Sequence, residues 1–292
     1  MIKLSKIRAC SSNRAAEPAQ MRIGCLAYDA AWESRSGRVV SRFARAANIR
    51  LNTGSLVAFL SAGLPMHPWA ISPIGDLSSL VVGMEASIED QTLMVGPVTV
   101  PFSGAQIIDL TITARPARCL PVATLCSLES WLGQSHGENG SPEAAAQAQI
   151  AAALRSFASR RDVTPLTELV GLGFGLTPSC DDVLMGVLAA LDFMREAAPA
   201  TCAVRQRLVH ALPRDLEQRT SLVSAQMLRA AASGRYPEPV VELTQALRDR
   251  DASLNEIRSA ADRVRALGHR SGNDILLGFL KAVRLATHVQ GS

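Results

Sequence analysis

Aromatic residues are scarce in this chain: Phe, Tyr and Trp make up 4% of its 292 residues. With few rings to bury and abundant Ala and Leu, the composition favours closely packed helices over much of its length. Cys10, Cys25, Cys119, Cys126, Cys180 and Cys202 contain no C-x-x-C pair, and the five histidines no H-x-x-x-H pair. That speaks against a zinc site or a disulfide framework and leaves reduced thiols, as in a cytoplasmic protein. Long hydrophobic runs are missing too. The longest, Val183–Leu191, is too short for a bilayer and stops at Asp192. The N-terminus lacks the apolar core and A-x-A site of a signal peptide. No run of five or six like charges occurs, and 30 basic against 26 acidic residues leave a net charge of +4. The most basic patch, Arg155–Asp162, reads as a solvated helix end. Neither a nucleic acid nor a membrane is expected as a partner, whereas a weakly positive surface suits small anions.

Hydrophobic residues at 48% against 19% charged describe a folded chain, long enough for one large domain or two modest ones. Residues 1–20 form a possible N-terminal extension, because a more protein-like stretch starts at Met21. Residues 21–140 read as a β-rich domain. Short β-branched runs alternate there with Gly and Pro, at Arg38–Phe43, Leu51–Phe59, Ala70–Ile74, Leu80–Glu85, Thr92–Val95, Val98–Pro101 and Gln106–Ile112. A polar break follows, with Ser141 as N-cap and Pro142 at the first helical position. Residues 141–292 read as a helical domain, with helices over Ala144–Arg161, Asp181–Ala197, Cys202–Leu212, Asp215–Ser233, Pro239–Arg250, Leu254–Leu267 and Asp274–His288. The expected class is α+β, an N-terminal sheet or barrel followed by helices, and not a series of βαβ units.

The most informative stretch is Gly171-Leu-Gly-Phe-Gly-Leu-Thr-Pro-Ser-Cys-Asp-Asp. Gly171, Gly173 and Gly175 permit a sharply turned backbone that presents N–H groups to an anion. Thr177 and Ser179 lead into a helix, with Ser179 as its expected cap and Asp181 and Asp182 in its first turn. It is neither a P-loop nor a G-x-G-x-x-G fingerprint; the bland alternative is a well-capped helix after a turn. A second copy weighs against that alternative. Ser271-Gly-Asn-Asp-Ile-Leu-Leu-Gly-Phe-Leu aligns without gaps on Ser179-Cys-Asp-Asp-Val-Leu-Met-Gly-Val-Leu. In each copy an aspartate lies four residues before a glycine, Asp182 before Gly186 and Asp274 before Gly278, on one helix face. A glycine inside a helix costs about 1 kcal/mol relative to alanine, so a close approach is expected there. Two such faces let the helices cross tightly and bring both starts to one site.

These two motifs, with Leu-Gly-His-Arg-Ser-Gly-Asn-Asp preceding the second helix, resemble the signatures of the AllH-like family. Arg219–Ala231 is similar to its intervening helix, and Phe43–Asn48 more loosely to its N-terminal portion. The pattern departs at three places: Phe174 stands where proline is usual, Cys180 where glycine is, and Arg270 where Ser or Thr is common. The resemblance implies a subunit of an oxamate carbamoyltransferase, which joins carbamoyl phosphate and oxamate to oxalurate and phosphate, or runs in reverse, during allantoin breakdown. It also implies companion subunits, including a larger one related to acyl-CoA synthetases.

On that reading the small anionic substrate (carbamoyl phosphate, oxamate or phosphate) is expected to contact Gly171, Gly173, Gly175, Thr177, Ser179, Cys180, Asp181, Arg270, Ser271, Gly272 and Asn273. The catalytic candidates are His269, as proton carrier, with Asp182 and Asp274. Asp181, Asp182 and Asp274 either bridge through Mg²⁺ or hold donors in place, the second being preferred. Cys180, in the first turn, is expected either to be activated by the helix dipole or to be buried and inert. Two other classes stay open: a non-catalytic scaffold that binds a partner or an anion, and a Mg²⁺-dependent hydrolase of a small amide or phosphate.

Overall fold

The computed structural model describes residues 20–113, 127–130, 142–196 and 198–289. Among them, nine strands pair into one curled sheet: β1 (Arg22–Gly24), β2 (Ser36–Arg42), β3 (Ala46–Leu51), β4 (Leu56–Ser61), β5 (Ala70–Ile74), β6 (Glu85–Glu89), β7 (Thr92–Val95), β8 (Val98–Pro101) and β9 (Gln106–Ile108). Their spatial order is β8-β7-β6-β2-β3-β4-β5-β1-β9. Pairing is antiparallel except for β4 with β5 and β1 with β9. Helix α1 (Cys25–Trp32) follows β1.

Helices then succeed one another: α2 (Pro142–Arg160), α3 (Thr164–Glu168), α4 (Ser179–Met194), α5 (Ala200–Ala211), α6 (Leu216–Arg219), α7 (Leu222–Ala232), α8 (Glu238–Arg248), α9 (Leu254–Arg265) and α10 (Ser271–Val289). The expected α+β class is therefore what the chain adopts.

Side chains alternate across a strand, and β4 uses both faces. Leu56, Ala58 and Leu60 join the core shared with the helices, while Val57 and Phe59 join a second core with Ile23, Ile49, Ile71 and Leu93. The sheet thus packs one face directly on the helical half. At the centre of that half lies α4, buried from Cys180 to Met194. Its interior Asp192 is tolerated because Arg205 pairs with it at 2.6 Å and the buried Tyr236 hydroxyl donates to it at 2.6 Å.

Several element boundaries differ from expectation for local reasons. Leu80–Glu85 is a turn: Leu80 is buried, Val81 and Val82 face solvent, and Gly83 has φ +93°, so the strand begins only at Glu85. Leu51–Phe59 is broken by a turn at Gly54, whose φ is +91°. The helix expected over Asp215–Ser233 is two, because Ser221 caps α7 by accepting from the Ser224 N–H at 3.1 Å. The strand at Arg22–Gly24, α1 and α3 were not expected from the sequence, and of β3 (Ala46–Leu51) only Leu51 was. The extension before Gln20, the Ser141 cap, Cys10, Cys119, Cys126 and His136 lie outside the described residues.

Candidate functional site

The two motif helices cross at their glycines. A Cβ on Gly186 would stand 2.0 Å from the Ile275 carbonyl oxygen, and one on Gly278 would stand 2.1 Å from the Val183 carbonyl oxygen. The contacts are reciprocal: the shift that carries Gly186 to Gly278 also carries Val183 to Ile275. The hydroxyls repeat the symmetry. Ser179 of α4 faces Asp274 of α10, and Ser271 of α10 faces Asp182 of α4. Thr177 Oγ1 and Ser271 Oγ bond at 2.7 Å, tying one helix start to the other. A pseudo-twofold pair of helices therefore brings Asp182 and Asp274 together, as the repeat predicted.

Above this crossing lies a cavity of about 580 Å³. Asp182, Asp274, Ser179, Ser271 and Thr177 lie at the helix starts; Gly175 and Leu176 come from the glycine loop, and His269 and Arg270 from the turn before α10. The sheet side supplies Asn48, Met66, His67 and Trp69. Glu238 positions that last loop, since its carboxylate accepts from the Met66 N–H at 3.0 Å and its own N–H donates to the Met66 carbonyl at 2.8 Å.

The electrostatics are those of buried acids. Asp182 is 1% exposed, and burial pushes its pKa up from 3.8 to about 8. The Ser271 and Thr177 hydroxyls oppose that rise, while the charges of Asp274 and Asp181 add to it. Those hydroxyls lie near but bond each other, and neither Asp182 oxygen has a hydrogen-bond partner of good geometry. Asp274 is raised too, by burial, against the Ser179 hydroxyl and the Arg270 charge. The His67 ring stacks on Trp69 with centroids 4.2 Å apart, and its Nδ1 is buried without a partner. Burial lowers the pKa of His67 far below neutrality.

Other candidates are held elsewhere. Asp181 faces away from the cavity, accepting from the Gly171 N–H at 2.9 Å and from the Thr220 hydroxyl. Gly171, at φ +86°, lies so near Arg219 that a Cβ would meet its carbonyl oxygen at 1.9 Å; on Gly173 one would meet the Ser179 nitrogen at 2.4 Å. These two glycines serve close backbone approach, and of the three loop glycines Gly175 alone lines the cavity.

The expected cap is displaced by one residue. Pro178 occupies the N-cap position and makes no side-chain bond, so Ser179 is the first helical residue and turns its hydroxyl to Asp274. First-turn N–H groups are also committed: Cys180 donates to Leu172, Asp181 and Asp182 to Pro178, Gly272 to Leu267, and Asn273 and Asp274 to Arg270. The first turns of the two helices thus offer an anion fewer donors than expected. Cys180 is 0% exposed with its thiol toward the Leu166 carbonyl, and burial raises its pKa. It is buried, as in the second of the two alternatives, and its side chain does not line the cavity. Gly272 packs on α9, and Asn273 lies off the cavity. His269 stands exposed and Arg270 half-buried at the rim.

With Asp181 turned away, the three aspartates do not fit one bridging Mg²⁺; among the described residues no group of three His, Cys, Asp or Glu is placed to hold a metal. His67, Asn48 and Trp69 were missed by the sequence reading. The available signal was Pro65-Met-His-Pro-Trp69, a histidine beside one of only 3 tryptophans between two strands.

The site defines an α+β protein whose crossed helix starts and a loop of the sheet enclose a cavity floored by carboxyls. Residues 169–283 match the family model described as oxamate carbamoyltransferase subunit AllH, and residues 20–107 match that of the AllH family N-terminal domain. The chain belongs to the AllH family. No solved structure matches it. Every cavity residue named above lies within the two matched segments, and the family description, naming a subunit, implies companions.

Proposed function

We propose that this chain is a substrate-binding and catalytic subunit of an oxamate carbamoyltransferase-type complex in allantoin breakdown, with the cavity above the α4–α10 crossing as its substrate site. The observation that carries this reading is Asp182, a buried carboxyl that lines the cavity and whose oxygens make no well-formed hydrogen bond, with only the Ser271 and Thr177 hydroxyls near. Buried polar atoms left unpaired are costly, and a substrate that pairs them recovers that cost on binding.

Carbamoyl transfer forms a bond from the oxamate nitrogen to the carbamoyl carbon and breaks the carbon–oxygen bond to phosphate. The nitrogen loses a proton, and the phosphate leaves with the bonding pair. A carboxyl with pKa about 8 suits that proton, being partly ionised near neutrality. Asp274 shares the proton with Asp182, while Arg270 and His269 face the anionic groups at the rim. The anion site is thus assigned to rim side chains rather than to the first-turn N–H groups of the helices. Companion subunits, one related to acyl-CoA synthetases, complete the enzyme. Among the described residues no helix is long and apolar enough to cross a membrane, which is compatible with the expected cytoplasmic location.

Thermal denaturation of the isolated chain tests the site. Oxamate and carbamoyl phosphate raise the melting temperature of the wild type, and Asp182→Leu removes the shift. An equal shift in Asp182→Leu places the substrate elsewhere and refutes the reading.

A further inference from the structure

The floor of the cavity is rich in oxygen, and its nearest donors are three hydroxyls, of which those of Thr177 and Ser271 bond each other. Both Asp182 oxygens, Asp274 Oδ2 and His67 Nδ1 are buried without a hydrogen-bond partner. They come from three separate segments, α4, α10 and the loop before β5, and all line the same space. A ligand that brings N–H groups satisfies atoms so placed.

We propose that this floor is a primary-carboxamide pocket: an unsubstituted amide group seats against Asp182, Asp274 and His67, while the charged end of the same molecule points to the rim beside Arg270. The proposal rests on the cavity being the substrate site, and it adds which end of the substrate enters first.

Alternative ligand chemistries fit worse. A phosphate or carboxylate brings negative charge and acceptors only, and at the floor it meets the oxygens of two carboxyls, with the Arg270 charge, felt by Asp274, to offset them. An ammonium supplies donors but has nothing to accept a proton from a carboxyl. A primary carboxamide has two N–H groups and one carbonyl oxygen. Two neighbouring acids raised by burial share a proton readily: the protonated one donates to the amide oxygen, and the ionised one accepts an amide N–H. His67, kept neutral by its surroundings, adds hydrogen bonding without the positive charge that would favour a carboxylate. Met66, Trp69, Met185 and Ile275 wall the floor with apolar surface, so the polar contacts are made away from bulk water.

Saturation-transfer NMR on the full chain tests this with two ligand series. The first compares acetamide with N,N-dimethylacetamide, which keeps the carbonyl and loses both N–H groups. The second compares oxamate with oxalate and pyruvate, which keep one carboxylate and replace the amide. We expect acetamide to bind and dimethylacetamide not to, and oxamate to bind at least tenfold more tightly than oxalate or pyruvate. Asp182→Asn, which keeps one donor and one acceptor, retains the preference within a few-fold, while Asp182→Leu abolishes it. The carboxamide floor is overturned if acetamide gives no signal, if dimethylacetamide competes equally, or if oxalate or pyruvate matches oxamate; none of these touches the transferase reading. Acetamide binding that depends on Asp182, together with no binding of oxamate, would instead leave the carboxamide floor standing and remove oxamate as substrate.

Discussion

Replacing Gly186 with alanine puts a methyl group 2.0 Å from the Ile275 carbonyl oxygen, at a contact where carbon and oxygen normally stay beyond about 3 Å. Both atoms belong to helices with little freedom to yield, since α4 is buried from Cys180 to Met194. The helices must therefore separate by roughly 1 Å or the methyl group must strain the backbone. Overpacking of this kind costs about 1–3 kcal/mol, and the backbone nature of the obstacle argues for the upper end. Alanine recovers about 1 kcal/mol through helix propensity, so the net destabilisation is about 2 kcal/mol.

Gly278→Ala meets the Val183 carbonyl at the same crossing and should cost a similar amount. Once one alanine has parted the helices, the second finds part of its space already made. The double variant is accordingly less destabilised than the sum, with a coupling of about 1 kcal/mol. Gly75→Ala, where a Cβ would meet nothing within 4 Å, serves as control and should lie within about 0.5 kcal/mol of wild type. Urea denaturation of the four variants measures all three quantities. Single alanines that leave stability unchanged, or costs that add fully, would refute the close crossing and with it the geometry that brings the two aspartates together.

Stability should fall as pH rises. Asp182 binds a proton in the folded state up to about pH 8 but releases it near 3.8 when unfolded, so between those values the native state holds more protons and loses stability by up to about 1.4 kcal/mol per pH unit. Asp181 and Asp274, also raised, act in the same direction, whereas the lowered Asp76, Glu238 and Glu256 act mainly below pH 4.5. Asp182→Asn should flatten the slope between pH 5 and 8 in urea denaturation, and a flat wild-type profile would contradict the burial argument. Iodoacetamide should modify Cys180 at least tenfold more slowly than the partly exposed Cys25 and Cys202, read peptide by peptide. Tyr236→Phe leaves one Asp192 oxygen without its 2.6 Å donor and should cost about 1.5–3 kcal/mol in the same denaturation assay.

The parts of this architecture that were legible in the sequence are those written in local periodicity. The strands at Ala70, Thr92 and Val98 and the helices at Cys202, Leu254 and Asp274 all appear within a few residues of expectation, because each carries its own apolar pattern and turn residues. The crossing of α4 and α10 was legible for a different reason: two glycines that weaken a helix locally make sense only against a second backbone. Long-range facts left no such trace. A cap read from Ser179 fails because Pro178 already sets the extended backbone, freeing the serine for Asp274. Asp181 and Asp182 are adjacent in sequence and look equivalent, yet they point to opposite surroundings, one to Gly171 and Thr220 and the other to the cavity. His67 belongs to a loop of the sheet half, and only the shared core beneath β4 carries it to the helix starts.

The central claim is that Asp182 and Asp274 are working groups of a carbamoyl-transfer site. Its most direct test is the rate of oxalurate formation from carbamoyl phosphate and oxamate by the chain reconstituted with its companion subunits. Asp182→Asn and Asp274→Asn should each lower kcat by roughly 10²-fold or more while oxamate binding persists, and Glu242→Gln, at an exposed ion pair, should leave it unchanged. Turnover within about threefold of wild type in both aspartate variants would contradict the account.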